Sequence, residues 1–241
     1  MKLELNPEIT IEAKRITDSF ACVVIDDFLL NPHDLVDYAT RRKDDFVILE
    51  RAYPGLVLPV EIEMMAVITR FIRSDMSRFF GFLRGDIKLD ANLALATSMP
   101  GELSWIQRLC HTDPRSSSER RNYASVLYLF DNPKLGGTGF YRWKDIEFWQ
   151  QMSEIQREDP ESGLGILKER FQMFRDPPCY MTESNEAAEM LDVVPAKFNR
   201  LIFYSGDLPH SAFISKPELL SPDPLKGRLT LNCFLSVLPK L

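Results

Sequence analysis

Apolar positions change their spacing along this chain. Residues 20–25 are almost continuously apolar and end at the acidic pair Asp26 and Asp27, the texture of a buried strand. Asn31 as cap, Pro32 at the first helical position and Asp34 in the first turn then predict a helix running to about Arg42. Over residues 59–80 the apolar residues Met65, Ile68, Ile72, Met76 and Phe79 follow one another at steps of 3, 4, 4 and 3, one face of an amphipathic helix. Arg70, Arg73, Ser74, Ser77 and Arg78 take its other side, and Gly81 is the expected stop. Past Gly85 the spacing shortens. Residues 87–99, 103–109 and 123–130 read as strands, the last stopped by Asp131, Asn132 and Pro133. A short aromatic strand at 140–143 precedes two helical stretches, 145–157 and 164–174, divided at 159–163. Strands return at 191–194, 200–205 and 228–237. Helices early, strands late and a helical insertion between them predict an α+β domain with a mainly β core and a largely antiparallel sheet system. Alternating βαβ units are not expected.

Composition narrows the classes. The chain has 241 residues, 45% of them hydrophobic, enough to bury a core without staples. Its 29 Lys and Arg face 35 Asp and Glu, a net charge of -6, so nucleic acid is not the expected partner. No apolar run approaches the roughly 20 residues of a membrane span, and residues 1–6 lack the apolar stretch of a signal peptide. The four cysteines form no CxxC pair, which predicts reduced thiols in a cytoplasmic protein.

With only three histidines, each can be weighed alone. His33 falls in the first turn of a predicted surface helix, where a structural or solvated role is expected. His111 and Asp113 form His-x-Asp at a predicted strand end, where the period of two turns both side chains to one face. His210 follows Gly206, Asp207, Leu208 and Pro209 on the loop leaving a strand. Two imidazoles and one carboxylate are the facial ligand set that holds Fe(II) and leaves open positions. Zinc accepts the same donors. Arg228 begins the last strand with Thr230 two residues on, facing the same way. A guanidinium inside a barrel would demand an anionic ligand.

At these residues the chain resembles the 2-oxoglutarate- and Fe(II)-dependent oxygenases, in particular the prolyl-4-hydroxylase-like branch. The resemblance rests on His111-x-Asp113, the distant His210, and Arg228 followed by Thr230. It extends to residues 123–131 with Gly136, Gly137 and Phe140, and to residues 199–210. It implies a double-stranded β-helix, or jelly roll, in a single domain over residues 1–241. Helical support would occupy about 1–85 and the jelly-roll core about 86–241, with a helical insertion at about 144–190. It implies Fe(II) held by His111, Asp113 and His210, and 2-oxoglutarate as co-substrate, its far carboxylate on Arg228 with help from Thr230 and Tyr128. The implied activity is a dioxygenase, most naturally a hydroxylase, that couples decarboxylation of 2-oxoglutarate to succinate with O2-dependent oxidation of a metabolite or protein side chain. Asp113 occupies the position a halogenase would leave to halide. A non-catalytic jelly-roll binding module and a jelly-roll metal enzyme without 2-oxoglutarate stay open as alternatives. The insertion is expected as a lid or partner surface, or as packing on the sheet. Phe140, Tyr141, Trp143, Phe148 and Trp149 would line a substrate pocket or belong to the core.

Overall fold

A computed structural model describes residues 2–49, 53–80, 85–114 and 117–239. In chain order the strands are β1 (Thr10–Arg15), β2 (Ala21–Asp26), β3 (Val47–Ile48), β4 (Gly55–Pro59), β5 (Gly85–Ala96), β6 (Arg121–Tyr128), β7 (Gly137–Trp143), β8 (Ala188–Pro195), β9 (Leu201–Ser205), β10 (His210–Phe213) and β11 (Arg228–Pro239). They make an eight-stranded sheet in the order β1-β2-β9-β6-β11-β5-β4-β3 and a three-stranded sheet in the order β10-β7-β8. The pairings are antiparallel. The helices are α1 (His33–Arg41), α2 (Ala66–Phe71), α3 (Ser77–Phe80), α4 (Ile146–Glu158) and α5 (Pro160–Arg170).

Residue alternation explains how the layers stack. On β6, Tyr123 and Leu127 face a core shared with Leu35, Met65, Ile68 and Ile72 of the helical segments. Ala124 and Tyr128 face the other way, into a core shared with Phe140 and Val194 of the smaller sheet. The centre of the large sheet is therefore buried on both faces, by helices on one side and by the small sheet on the other. On β11, Leu229, Leu231, Cys233 and Leu235 turn to the helices. Arg228, Thr230 and Asn232 turn to the small sheet by the same period of two.

The structure corrects several expectations. Residues 103–109 form no strand; a single 3₁₀ turn, Ile106–Arg108, stands there, just after another at Pro100–Glu102. Leu103 and Leu109 are buried, but the side chain of Gln107 accepts from the Ser104 N–H at 2.9 Å and folds the segment back on itself. The first third of the chain also supplies four strands. The edge strand β1 is mostly polar and β3 is only two residues long, so neither carries a strand-like apolar run. The long amphipathic helix contains a π-helical turn at Ile72–Met76. That turn shifts the helical phase by about one residue, so Phe79 is 37% exposed and Phe80 takes the inward place, its ring 5.0 Å from that of Phe203. The expected stop at Gly81 lies outside the described residues. The break expected at 159–163 shrinks to Asp159, whose carboxylate caps α5 at Ser162 N, 3.2 Å away. Pro160 fits the first position of that helix.

The insertion packs as its own small core. The ring of Trp149 stacks 4.5 Å from that of Trp143 and 5.7 Å from that of Phe171. Phe140 and Tyr141 are buried in other clusters of the interior. The five aromatic residues are thus chiefly packing residues. Arg170 ties the end of α5 to Asp145 at the start of α4 at 2.6 Å.

Asp26, at the end of β2, accepts from both Arg200 Nε (2.6 Å) and Nη2 (3.0 Å) and from Lys197 Nζ (3.2 Å). The Arg200 hydrogen bonds, with help from Lys197, hold its carboxyl below the usual range. The resulting stabilisation is complete above the ordinary Asp pKa and is lost as pH falls through the lowered value. Asp26→Asn should cost about 1–2 kcal/mol at neutral pH and flatten the acid side of the stability curve in urea unfolding. An unchanged acid slope would remove Asp26 as its source.

Candidate functional site

His210 opens β10 and pairs with Phe140 of β7. On its other side it meets His111. His111 N donates to His210 O and His210 N donates to His111 O, each at 2.9 Å. This pair is an isolated bridge, so the predicted strand end is a single point of pairing. The imidazole centroids lie 4.5 Å apart. Asp113 is brought in by a second main-chain contact, its N–H donating to Gly206 O at 2.8 Å. The approach needs a glycine, because a Cβ on Gly206 would lie 2.6 Å from Asp113 Oδ2. Asp113 Oδ1 then lies 3.8 Å from His210 Nε2.

One ligand atom from each of His111, Asp113 and His210 can be chosen so that all lie within 4.8 Å of one another. Ligand bonds of about 2.0–2.2 Å keep two donors on one ion within about 4.4 Å, so closure by a few tenths of an ångström suffices. Their chemistry fits a cation. His210 Nδ1 is 2.8 Å from Leu208 O, which assigns the proton to Nδ1 and leaves the Nε2 lone pair free. Asp113 Oδ2 is buried with no partner among the described residues, a costly state that an ion would relieve. Burial lowers the His210 pKa to about 4, against the pull of the Leu208 carbonyl. His111 is exposed on one side, yet protein atoms crowd its ring. Their desolvation, then the neighbouring His210, lower its pKa to about 4 against the opposing Asp113. Burial raises Asp113 to about 6, opposed by His111 and reinforced by Asp207. At neutral pH the site offers two neutral imidazoles and a carboxylate.

The other expected residues form a second group in the same interior. Arg228 is 2% exposed. Its Nε donates to Leu135 O at 3.1 Å and its Nη2 to Gly137 O at 2.7 Å, and Phe130 lies beneath it at 5.8 Å. Among the described residues it is held by these main-chain carbonyls and not by a carboxylate. Thr230 is fully buried and stands directly opposite Tyr128 in the β11–β6 register. The Tyr128 hydroxyl shares a 2.8 Å hydrogen bond with Thr138 Oγ1. Burial pushes its pKa up to about 12, with Arg228 opposing, so it stays neutral. Strand β7 links the two groups, since Gly137 receives Arg228 and Phe140 pairs with His210. Gly137 and Phe140 are three residues apart on that strand, a main-chain spacing of about 10 Å. His33 takes no part; its ring stacks on Phe198 at 4.7 Å.

Three contributors lie outside the expected set: Leu208, which orients His210; Gly206, which clears space for Asp113; and Tyr204, whose ring lies 4.8 Å from that of His210. Gly206 sits in an evident turn, but nothing in the sequence ties that turn to Asp113. A separate groove of about 400 Å³, lined by Arg15, Phe20, Phe79, Tyr123 and Ser205 among others, opens beside the helices. Tyr123 belongs to the helix-side core, so this groove lies across the sheet from the imidazoles. Gly206→Ala should push Asp113 aside and weaken Mn(II) binding about tenfold or more in calorimetry, with the fold retained by circular dichroism. Unchanged affinity would show that the carboxylate is not seated by this contact.

No described helix is long and apolar enough to cross a membrane. No curated protein matches the sequence. Among solved structures, a prolyl-4-hydroxylase from Pseudomonas putida is similar at 12% identity and a TM-score of 0.44, covering 97% of this chain and 93% of that one. HygX from Streptomyces hygroscopicus, with nickel, 2-oxoglutarate and hygromycin B bound, is similar at 10% identity and a TM-score of 0.44, covering 90% and 82%. AviO1 from Streptomyces viridochromogenes Tue57 is similar at 11% identity and a TM-score of 0.41, covering 91% and 90%. Scores this low carry no functional weight by themselves. Residues 7–235 match a family described as a family of unknown function (DUF6445), and the chain belongs to that family.

Proposed function

We propose that this protein is an Fe(II)- and 2-oxoglutarate-dependent dioxygenase, a hydroxylase of the prolyl-4-hydroxylase-like branch, formed as one domain. One observation carries the reading: a three-donor cation cluster and a buried guanidinium held by main-chain carbonyls share one interior, each in contact with β7, at Phe140 and at Gly137. A dicarboxylic keto acid suits that pair of needs. Strand order supports it, because β5-β11-β6-β9 of the large sheet face β10-β7-β8 with the His111 bridge added beside β10. A double-stranded β-helix would use eight such positions.

His111, Asp113 and His210 would hold Fe(II). The ion, when bound, would supply the O2-activating chemistry that couples decarboxylation of 2-oxoglutarate to succinate with oxidation of a substrate. The chain's own residues bind and orient. Arg228 would take the far carboxylate through its unspent N–H groups, and Thr230 would offer a hydroxyl beside it. Tyr128, held neutral, can donate its phenolic proton there or keep it on Thr138 Oγ1. Phe130 and Leu135 exclude water from the guanidinium and so strengthen its attraction for an anion.

With Mn(II) in place of iron, 2-oxoglutarate should raise the melting temperature of the parent protein. Arg228→Ala should abolish the rise, and Arg228→Lys should weaken 2-oxoglutarate binding about tenfold or more. The lysine variant covers the case in which removal of the buried side chain prevents folding. Folded variants of both kinds that keep the parent response would contradict the assignment of Arg228.

A further inference from the structure

Tyr204 carries a polar group that the packing of the protein does not use. It is the fourth residue of β9, where strand alternation turns Phe203 to the helix-side core and Tyr204 to the small sheet. Its cross-strand neighbours are small, Cys22 on β2 and Ala124 on β6, so the ring can lean over them. The ring meets the His210 imidazole nearly edge-on at 4.8 Å and the Phe140 ring at 5.1 Å. His210 and Phe140 are themselves paired between β10 and β7. Tyr204 is therefore held against the metal ligands from two directions, and only 2% of it is exposed.

Other buried tyrosines spend their hydroxyl groups inside the protein. Tyr128 shares a hydrogen bond with Thr138, Tyr141 donates to Met181 O and Tyr180 to Ser98 O, each at 2.8 Å. The Tyr204 hydroxyl makes no hydrogen bond to the described residues, yet it is not sealed as Asp113 Oδ2 is. The small surface that Tyr204 keeps thus includes its hydroxyl. Asp113 Oδ2 is also unpaired, but it is turned towards Gly206. Burial, then Asp113, Tyr128 and Cys22, keep the phenol protonated well above its usual pKa, with Arg228 opposing. Tyr204 is a neutral donor within electrostatic reach of both the carboxylate of the cluster and the buried guanidinium.

A buried phenolic O–H ordinarily finds an acceptor. Set among a cation site and a guanidinium, the acceptor that suits it is an anionic oxygen, which makes the stronger bond. Contact with His210 puts the hydroxyl at the metal end of the interior. There a ligand carboxylate would share the ion with Asp113, and two like charges at one site repel. A neutral donor beside the incoming carboxylate eases that repulsion.

We propose that Tyr204 is a binding residue for the co-substrate, its phenolic O–H donating to the carboxylate that the keto acid presents at the metal, while Arg228 holds the far one. This rests on the oxygenase reading, and it needs no space beyond what the keto acid itself takes. Calorimetry on Mn(II)-loaded protein tests it with two acids, 2-oxoglutarate and oxalate. Oxalate can chelate the ion but is too short to reach Arg228 as well. Tyr204→Phe keeps the ring and removes one oxygen. It should leave Mn(II) affinity at the parental level and weaken both acids by about fivefold or more. Arg228→Lys should weaken 2-oxoglutarate and leave oxalate unchanged. Parental affinity for both acids in Tyr204→Phe would overturn the proposal. So would a Tyr204→Phe variant that loses 2-oxoglutarate but not oxalate, which would move the hydroxyl to the far carboxylate, or one that loses Mn(II) itself, which would make Tyr204 a support of the cluster. Failure of the Mn(II)-loaded parent to bind 2-oxoglutarate at all would strike the oxygenase reading, and the proposal with it.

Discussion

Two main-chain hydrogen bonds, exchanged between His111 and His210 at 2.9 Å, hold the site together. They join a loop to the first residue of β10 and fix the two imidazoles 4.5 Å apart. Everything else in the cluster depends on that register. The turn before His210 supplies Gly206 O, which draws Asp113 in, and Leu208 O, which turns His210 so that its Nε2 faces the other donors. A slip of one residue would turn His210 to the opposite face of the small sheet. The cluster is therefore a property of strand pairing as much as of ligand identity.

Strand β11 shows how one element serves stability and chemistry together. Its Leu229, Leu231, Cys233 and Leu235 fill the helix-side core. Its Arg228, Thr230 and Asn232 present charge and polarity to the inner face. Burying a guanidinium against two carbonyl oxygens is expensive, and the large apolar core on the opposite face offsets it. The same strand passes from the buried Arg228 and Thr230 to the partly exposed Asn232 and the exposed Phe234 within a few residues.

Much of this was legible in the sequence. His111-x-Asp113 and the distant His210 were legible as a donor set, His111 proving a lone bridge and not a strand end, whereas the Arg228–Thr230 pair was legible because strand periodicity is local and easily read. The strongly apolar strands at β6, β9 and β11 were legible for the same reason. Contacts between distant segments were not. Nothing near Asp113 announces Gly206, and nothing near His111 announces that its pairing is a lone bridge. The polar edge strand β1 lacks the apolar run that marks a strand, and the π-helical turn moved Phe79 outward by a phase shift that regular 3.6-residue spacing cannot anticipate. Residues 103–109 misled because buried leucines at a turn mimic strand periodicity.

The central claim is that one cation and one keto acid meet between His111, Asp113, His210 and Arg228. The most direct measurement is the visible absorption of anaerobic, iron-loaded protein as 2-oxoglutarate is added. A charge-transfer band should appear and saturate at one equivalent, and it should be absent from Asp113→Ala. Parent protein with iron confirmed at one equivalent and no such band would contradict the account.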